Sequence, residues 1–98
     1  MRVLKAAEFD EWLSGLSPYL QALVESRLRR IRDGGHFGDS KPLGKGLFEL
    51  RWRQGLRAYF GYTQDAQGRA VLMLLGGDKN DQNRSIAKAR ALLAREAT

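Results

Sequence analysis

The feature that most constrains the fold is a change of apolar period near residue 46. Before it, apolar residues recur at helical spacing, and after it they alternate with polar residues in consecutive segments up to Lys79. A period of two predicts strands buried on one face, and three such strands in a row predict an antiparallel sheet. The chain has 98 residues, enough for one domain with a single modest core. We therefore expect residues 1–98 to form a single domain.

Two helices are predicted ahead of the sheet. Apolar residues between Glu8 and Leu16 fall at helical spacing, and Ser17-Pro18 combines a preferred N-cap residue with proline at the first helical position. Residues 34 and 35, both glycine, end the second helix. Residues 2–5 favour a short opening strand, residues 34–46 a glycine-rich loop, and residues 78–81 the caps of a last helix that runs to about residue 95. The prediction is an α+β fold with two N-terminal helices packed on a small antiparallel sheet of three to four strands, followed by a C-terminal helix.

The turn between the first two strands of the sheet decides which side chains share a face. A two-residue turn would pair Arg51 with Ala58 and place charge on both faces. A three-residue loop ending at Gly55 pairs Arg51 with Arg57 and leaves one face apolar. Burial of one face specifies the register strongly, and three-residue hairpins with a left-handed glycine are common. We therefore expect the three-residue loop.

The third strand, residues 69–76, follows a turn through residues 65–68. Pairing Gln64 with Arg69 places Val71, Met73 and Leu75 on the apolar face, beside Tyr62, Phe60 and Ala58. The opposite face then contains Leu72 and Leu74 together with Tyr59, so it is not wholly polar.

The charge of the chain indicates an acidic partner. Seventeen Lys and Arg residues stand against 11 Asp and Glu residues, for a formal net charge of +6, and residues 41–69 hold six of the cations but only two of the acids. Such a domain is suited to nucleic acid or to an acidic protein. The absence of cysteine excludes a disulfide scaffold and a thiolate nucleophile. Because there is no signal-peptide pattern and no apolar run of membrane-spanning length, we expect a cytoplasmic protein that does not bind membranes.

The polar face of the sheet is the candidate site for chemistry. Like charges directly across a hairpin are unfavourable, so Arg51 opposite Arg57 requires either a bridge from Glu49 or an anion held between them. We expect Lys45 and Lys79 to reach the same edge, which would complete a site for a phosphodiester.

Other motifs carry weaker signals. The segment 76–79, Gly-Gly-Asp-Lys, is either an anion-binding strand–helix turn or a simple connection. His36 is the sole histidine, so we expect neither a metal site nor a cofactor. Asp10 and Glu11 are better explained as acids of a helix start than as a catalytic pair. The arginines of residues 27–32 are typical of a solvated helix face, with a partner's acids as the alternative.

Three motifs in order resemble one family of proteins. The segments LGKGLFELRWRQGLRAYF, LMLLGGDKNDQ and IAKAR resemble the HigB-like addiction module killer group of the RelE/ParE toxin superfamily. The likeness extends over nearly the whole chain, with the early segments EFDEWL and FGDSKPLG included. One departure is Ser85, where the family usually has an acidic residue.

The resemblance implies the toxin of a type II toxin–antitoxin pair that cleaves mRNA, usually on the ribosome, without a metal. It also implies a cognate antitoxin of helix-turn-helix type that neutralises the toxin. The protein would bind operator DNA only through this antitoxin. The basic positions that it implies are Arg51, Arg57 and Lys79, with Lys45 near the entry. We expect the first three to act in catalysis, with Tyr59 on the same face as a weaker candidate. We expect RNA phosphates to be bound by Lys45, Arg53 and Lys41. Arginine stays protonated and cannot act as the base. Lys79 or Lys45 could do so if neighbouring cations lower the pKa of that lysine.

Two other functions remain open. The ParE branch of the superfamily shares the fold but inhibits DNA gyrase without cutting RNA, and an inactive toxin would act only as a co-repressor with its antitoxin.

Overall fold

A mixed sheet with helices on both faces forms the molecule. The computed structural model describes residues 1–96, and within them the strands are β1 (Arg2–Lys5), β2 (Ser40–Gly44), β3 (Leu47–Arg51), β4 (Leu56–Asp65) and β5 (Gly68–Asp78). The helices are α1 (Ala7–Ser14), α2 (Pro18–Gly34) and α3 (Gln82–Glu96), and a 3₁₀ turn (Lys79–Asp81) precedes α3. The order of the strands is β1-β5-β4-β3-β2. The predicted α+β class, with two helices before the sheet and one after it, is confirmed.

The sheet is larger than predicted and is not wholly antiparallel. It has five strands among the described residues, and β1 pairs with β5 in parallel. The additional strand, β2, lies in the segment that was predicted to be a loop. Its residues are mostly exposed, so they show no alternation, and Pro42 is tolerated because an edge strand has one unpaired side. Backbone pairing with β3, rather than burial, makes this segment a strand.

The predicted register of the central hairpin is confirmed. Arg51 lies opposite Arg57, the Trp52 N–H donates to the Leu56 carbonyl over 3.1 Å, and Gly55 closes the three-residue loop with a φ of 95°. That left-handed conformation favours glycine.

The pairing of β4 with β5 begins as predicted, with Gln64 opposite Arg69. A bulge at Leu74 then shifts the register, so Leu75 lies opposite Tyr59 rather than beside Ala58. The prediction that Leu75 joins the apolar face of the hairpin is therefore wrong, because a single extra residue turns every later side chain to the other face.

The sheet separates two cores. The first face, covered by α1 and α2, buries one hydrophobic cluster, centred on Phe9, Ile31, Leu50, Phe60 and Met73. The second face is covered by α3 and buries a smaller cluster, formed by Leu47, Tyr59, Leu72, Leu74, Leu75, Ala89 and Leu92. The predicted cationic positions all belong to the second face or to turns beside it, so α3 limits access to them.

Local signals explain the helix ends. The Ser17 hydroxyl accepts a hydrogen bond from the Leu20 N–H at the start of α2, and Gly35 ends that helix with a φ of 70°. The Asp78 carboxylate accepts from the Asn80 N–H ahead of α3. Within residues 1–96, no helix is both long and apolar enough to cross a membrane.

Candidate functional site

The arginine pair lies where β3 and β4 end, on the second face of the sheet. Arg51 Nη2 donates to Asp39 Oδ1 over 3.2 Å. Arg57 Nη1 donates to two backbone carbonyls, those of Leu56 at 2.9 Å and Trp52 at 3.3 Å. Each guanidinium is thus anchored by one nitrogen, while about two-fifths of the Arg51 side chain stays exposed, at 38%. Two anchored cations that face each other suit an anion with several acceptor oxygens.

Glu49 does not neutralise this pair. Its side chain is fully buried, and its Oε2 accepts a 2.6 Å hydrogen bond from Gln82 Nε2 at the start of α3. Among the described residues it forms no ion pair with Arg51 or Arg57 within 4.0 Å. The alternative in which Glu49 bridges the arginines is therefore not realised. The Asp39 carboxylate offsets part of the Arg51 charge through their ion pair, whereas Arg57 forms no ion pair within residues 1–96.

Buried polar atoms without a partner are concentrated at this point. In the described part of the chain they are Glu49 Oε1, Arg51 Nε, Arg57 Nε and Tyr59 OH. All four belong to two adjacent cross-strand pairs, Glu49 with Tyr59 and Arg51 with Arg57. Folded proteins leave few such groups, and each calls for an explanation. Their clustering in one two-by-two block marks this part of the sheet as the candidate site.

Tyr59 lies in the second core. Its side chain is fully buried, and this burial, together with the neighbouring charge of Glu49, raises its pKa from 10.0 to about 12. At neutral pH the phenol is therefore neutral, so it can donate a hydrogen bond but does not readily give up its proton. Access to Tyr59 from solvent requires α3 to move.

Lys79 lies beside the arginine pair. Its backbone N–H donates to the Gly55 carbonyl over 2.9 Å, which ties the residue to the loop between β3 and β4, and its side chain is exposed. Arg53 is exposed in the same loop. Lys41 lies opposite Glu49 on β2, so its side chain belongs to the second face too. The structure thus brings these three cations to the end of the sheet that holds Arg51 and Arg57.

Lys45 lies elsewhere, and the expectation that Lys45 and Lys79 reach the same edge is wrong. Lys45 occupies the turn before β3, whereas Arg51 ends that strand. The strand β3 lies between the two, and its five residues span roughly 13 Å. Lys45 instead lies with Arg90 and Leu93 near the end of α3, in a left-handed conformation with a φ of 55°.

The two glycines before Lys79 serve packing. A Cβ on Gly76 would lie 2.1 Å from the Trp12 ring, and a Cβ on Gly77 would lie 2.7 Å from the Ser85 hydroxyl. The absence of a side chain at Gly76 therefore allows α1 to pack closely on the first face. The absence of one at Gly77 allows α3 to pack closely on the second face. The small side chain of Ser85, which is the departure from the family pattern, lies buried at this contact.

Arg27 is a supporting residue that the sequence did not reveal. Its guanidinium lies 4.5 Å from the centre of the Trp52 ring and donates to the carbonyls of Phe37 and Arg51 over 3.2 and 3.0 Å. Burial lowers the pKa of Arg27 from its ordinary value. One of four arginines in residues 27–32 is thus packed beneath the site, and helical spacing alone does not distinguish it from its exposed neighbours.

Metal-type ligands are not gathered anywhere in the described chain. No group of three or more His, Asp or Glu side chains lies close enough to hold an ion within residues 1–96. His36 lies exposed in the segment between α2 and β2.

Comparison with known proteins relates this chain to one sequence relative and to several solved structures. No family model matches the chain. A protein of Haemophilus influenzae, described as uncharacterized, is 40% identical over 89 residues, which cover 90% of this chain and 87% of that protein.

The solved structures share the fold. The RelBE2 toxin–antitoxin complex of Mycobacterium tuberculosis contains a chain with a TM-score of 0.56 and 24% identity, covering 80% of this chain and 96% of that one. The YoeB/ParE toxin of Agrobacterium tumefaciens has a TM-score of 0.60 and 12% identity, over 80% and 98% of the two chains. A conserved hypothetical protein of Helicobacter pylori has a TM-score of 0.50 and 16% identity, over 84% and 98%. The fold is that of RelE-like and YoeB/ParE-type toxins.

Proposed function

We propose that this chain, which belongs to the same family as the Haemophilus influenzae protein, is the toxin of a type II toxin–antitoxin pair. The RelE-like fold supports the proposal, as does the resemblance of its motifs to the HigB-like group. In this proposal a cognate antitoxin of helix-turn-helix type neutralises the toxin and brings it to operator DNA.

We further propose that the toxin is an endoribonuclease that cleaves mRNA in the cytoplasm. The observation that carries this proposal is the arginine pair: two guanidinium groups opposite each other, unneutralised by Glu49, each with a buried Nε that lacks a partner. Phosphodiester oxygens would accept from both groups, and the same cations would stabilise the charge that develops on phosphorus.

The proposed reaction needs only protons to be moved. The 2′-hydroxyl loses its proton as its oxygen attacks phosphorus, the bond from phosphorus to the 5′-oxygen breaks, and that oxygen takes up a proton. The products are a 2′,3′-cyclic phosphate and a 5′-hydroxyl. Lys79 is the exposed group beside the pair that can exchange a proton, and Lys41 and Arg53 would hold flanking phosphates. Tyr59 takes part only if α3 moves, and Lys45 would contact RNA outside the reacting nucleotides. Without a strong base, cleavage depends on the positioning of the substrate, which we assign to the ribosome.

Primer extension on cellular mRNA after induction of the protein tests the proposal. We expect cuts within codons with the wild type, and none with Arg51→Ala or Lys79→Ala. Arg30→Ala serves as the matched control because Arg30 is exposed on α2, away from the site. Both inactive variants should remain folded by circular dichroism and should still bind the antitoxin. Intact transcripts with accumulating DNA breaks would instead support gyrase inhibition, and wild-type cleavage by both site variants would refute the residue assignment.

A further inference from the structure

A carboxylate lies directly beside the arginine pair. Asp39 belongs to the segment between α2 and β2, and its Oδ1 accepts a hydrogen bond from Arg51 Nη2 over 3.2 Å. No other acid forms an ion pair with Arg51 or Arg57 among residues 1–96. A negative charge repels phosphate, so its presence at a site for RNA calls for an explanation.

The stability of the fold does not provide that explanation. The Asp39 side chain is 60% exposed, and ion pairs with this much exposure contribute little to the free energy of unfolding. The pair of Arg32 with Asp33 on α2 is alike in length, at 3.3 Å, and in the exposure of its acid, at 65%. Asp33 therefore shows what such an acid does away from the site.

The backbone of Asp39 is fixed against the end of β3. The Arg51 N–H donates to the Asp39 carbonyl over 3.0 Å. Arg27 joins the same two segments, since its Nη1 donates to the Phe37 carbonyl over 3.2 Å and its Nη2 donates to the Arg51 carbonyl over 3.0 Å. Because Arg27 itself packs on the Trp52 ring, the core determines where the Asp39 carboxylate lies.

The two arginines of the pair differ in their anchors. Arg57 donates to the backbone carbonyls of Leu56 and Trp52, whereas the Arg51 guanidinium has Asp39 as its sole acceptor among the described residues. The Nε of Arg51 is buried, so the stem of its side chain is held by packing. Its two Nη groups could still turn about the bonds on either side of Nε. Asp39 is the contact that prevents this rotation.

We propose that Asp39 is a positioning residue, whose carboxylate holds the Arg51 guanidinium in alignment with Arg57 while its charge weakens the binding of phosphate. Asp39 engages Nη2, and Nη1 stays available to a phosphate oxygen. Because Arg51 is ordered in the free protein, less conformational entropy is lost when RNA binds. The reacting phosphate would meet two cations in a fixed arrangement. The inference rests on the proposed function in taking RNA as the ligand.

Two variants separate the position of Arg51 from the charge of Asp39. Asp39→Asn removes the charge but keeps an oxygen that can accept from Arg51 Nη2, whereas Asp39→Ala removes both. The probe is a short, fluorescein-labelled 2′-O-methyl RNA, which cannot be cleaved because it has no 2′-hydroxyl. Fluorescence anisotropy at about 0.1 M salt measures its affinity.

We expect Asp39→Asn to bind this RNA about threefold more tightly than the wild type, because a repelling charge is gone. It should also bind about threefold more tightly than Asp39→Ala, in which Arg51 has to be ordered on binding. Asp33→Ala removes an equal charge from α2 and should change the affinity by less than about twofold.

The Arg51 side chain gives a readout that needs no RNA. At low temperature we expect separate nitrogen resonances for its two Nη groups in the wild type. They should merge in Asp39→Ala and persist in Asp39→Asn, and the resonances of Arg57 should be the same in both. Cleavage of mRNA on programmed ribosomes, at saturating protein, should fall about tenfold in Asp39→Ala and by less than about threefold in Asp39→Asn. Asp33→Ala should cleave at the wild-type rate.

Several results would overturn the inference. Equal affinities of Asp39→Asn and Asp39→Ala, or separate Arg51 resonances in Asp39→Ala, would mean that Arg51 is held without Asp39. Weaker binding by Asp39→Asn than by the wild type would mean that the carboxylate itself contacts RNA. An equal loss of cleavage in both variants would make Asp39 a reacting group. If the wild type leaves mRNA intact, the proposed function fails, whereas the resonances and affinities still decide the role of Asp39.

Discussion

At the scale of single residues, Arg51 and Arg57 share a pattern. Each guanidinium is held by the protein through one terminal nitrogen, and its Nε is buried without a partner. Anchoring limits the conformational entropy lost when an anion binds. The two side chains are therefore held in place before any anion binds, as the proposed phosphate site requires, and the described residues offer no comparable arrangement for proton transfer.

Removal of the Tyr59 hydroxyl should not destabilise the protein. That oxygen is buried next to the Glu49 carboxylate but forms no hydrogen bond within 3.5 Å, so Tyr59→Phe removes a desolvated polar group. We expect the free energy of unfolding at pH 7 to stay equal or to rise by about 1 kcal/mol. Urea denaturation measures this. Tyr19→Phe, at an exposed position, is the control, and a loss of stability in Tyr59→Phe alone would show that the hydroxyl has a partner.

The same tyrosine makes stability depend on pH above about 10. In the unfolded chain Tyr59 loses its proton near 10.0, whereas in the folded protein its pKa is about 12. Between these pH values the folded state therefore holds more protons than the unfolded state. The contribution of Tyr59 to stability is fully present below pH 10 and is lost as the pH rises towards 12. Urea denaturation across this range should show a steeper decline in the wild type than in Tyr59→Phe, and equal declines would contradict the raised pKa.

Arg27→Ala should weaken the support of the site. The substitution removes three hydrogen bonds to backbone carbonyls, of which that to Asp39 is long at 3.5 Å, and the contact with Trp52. We expect a loss of about 2–3 kcal/mol in the free energy of unfolding. Arg30→Ala, on the exposed side of α2, should change it by less than about 0.5 kcal/mol. Equal effects of the two variants would contradict the claim that Arg27, unlike Arg30, supports the site.

At the scale of elements, β5 is the strand that organises the molecule. It pairs with β1 and β4, contacts α1 through Gly76 and approaches α3 through Gly77. Its bulge at Leu74 sends two consecutive leucines to the second core. The placement of both outer helices therefore depends on small residues and on one irregularity in this strand.

Gly76→Ala should displace α1. The added Cβ would overlap the rigid Trp12 ring at 2.1 Å, and overpacking of this kind costs about 1–3 kcal/mol. Thermal or urea denaturation measures the loss. Gly15→Ala is the control, since its nearest neighbour would lie 3.6 Å away in ordinary contact. Full stability of Gly76→Ala would mean that the Trp12 ring can move away from β5 at little cost.

At the scale of the whole molecule, the cations of the site are spread over one end of the sheet. Arg51, Arg57 and Lys79 lie together, while Lys45 lies in the turn at the opposite end of β3. A short RNA bound at the site should therefore engage the first three cations.

Binding of a short single-stranded RNA should fall with salt concentration. Each phosphate neutralised contributes about −0.7 to the slope of log affinity against log salt, so Arg51→Ala or Arg57→Ala should each reduce the slope by about that amount. Fluorescence anisotropy with a labelled oligonucleotide of a few nucleotides measures the slope. Lys45→Ala should leave it unchanged, and an equal reduction in that variant would place the RNA along the whole strand.

Several features of the fold were predictable because they depend on local chemistry. Ser17, Gly35 and Gly55 act through their own backbone or side chains, so the helix ends and the central hairpin followed from residue type. The strand β2 was missed because its pairing is with the backbone of β3 and leaves no apolar period. The bulge at Leu74 was missed because both faces of β5 are buried. An apolar residue is acceptable on either face, so the apolar pattern does not reveal where the register shifts.

By itself the sequence determined the α+β class, the facing of Arg51 and Arg57, and the basic character of one end of the sheet, since alternation and turn chemistry act over a few residues. Only the tertiary structure decided that α3 covers Tyr59 and Glu49, that Lys45 lies far from the pair, that Arg27 lies beneath it, and that Gly76 and Gly77 admit the neighbouring helices. These facts depend on how distant segments pack, which residue type and spacing do not specify.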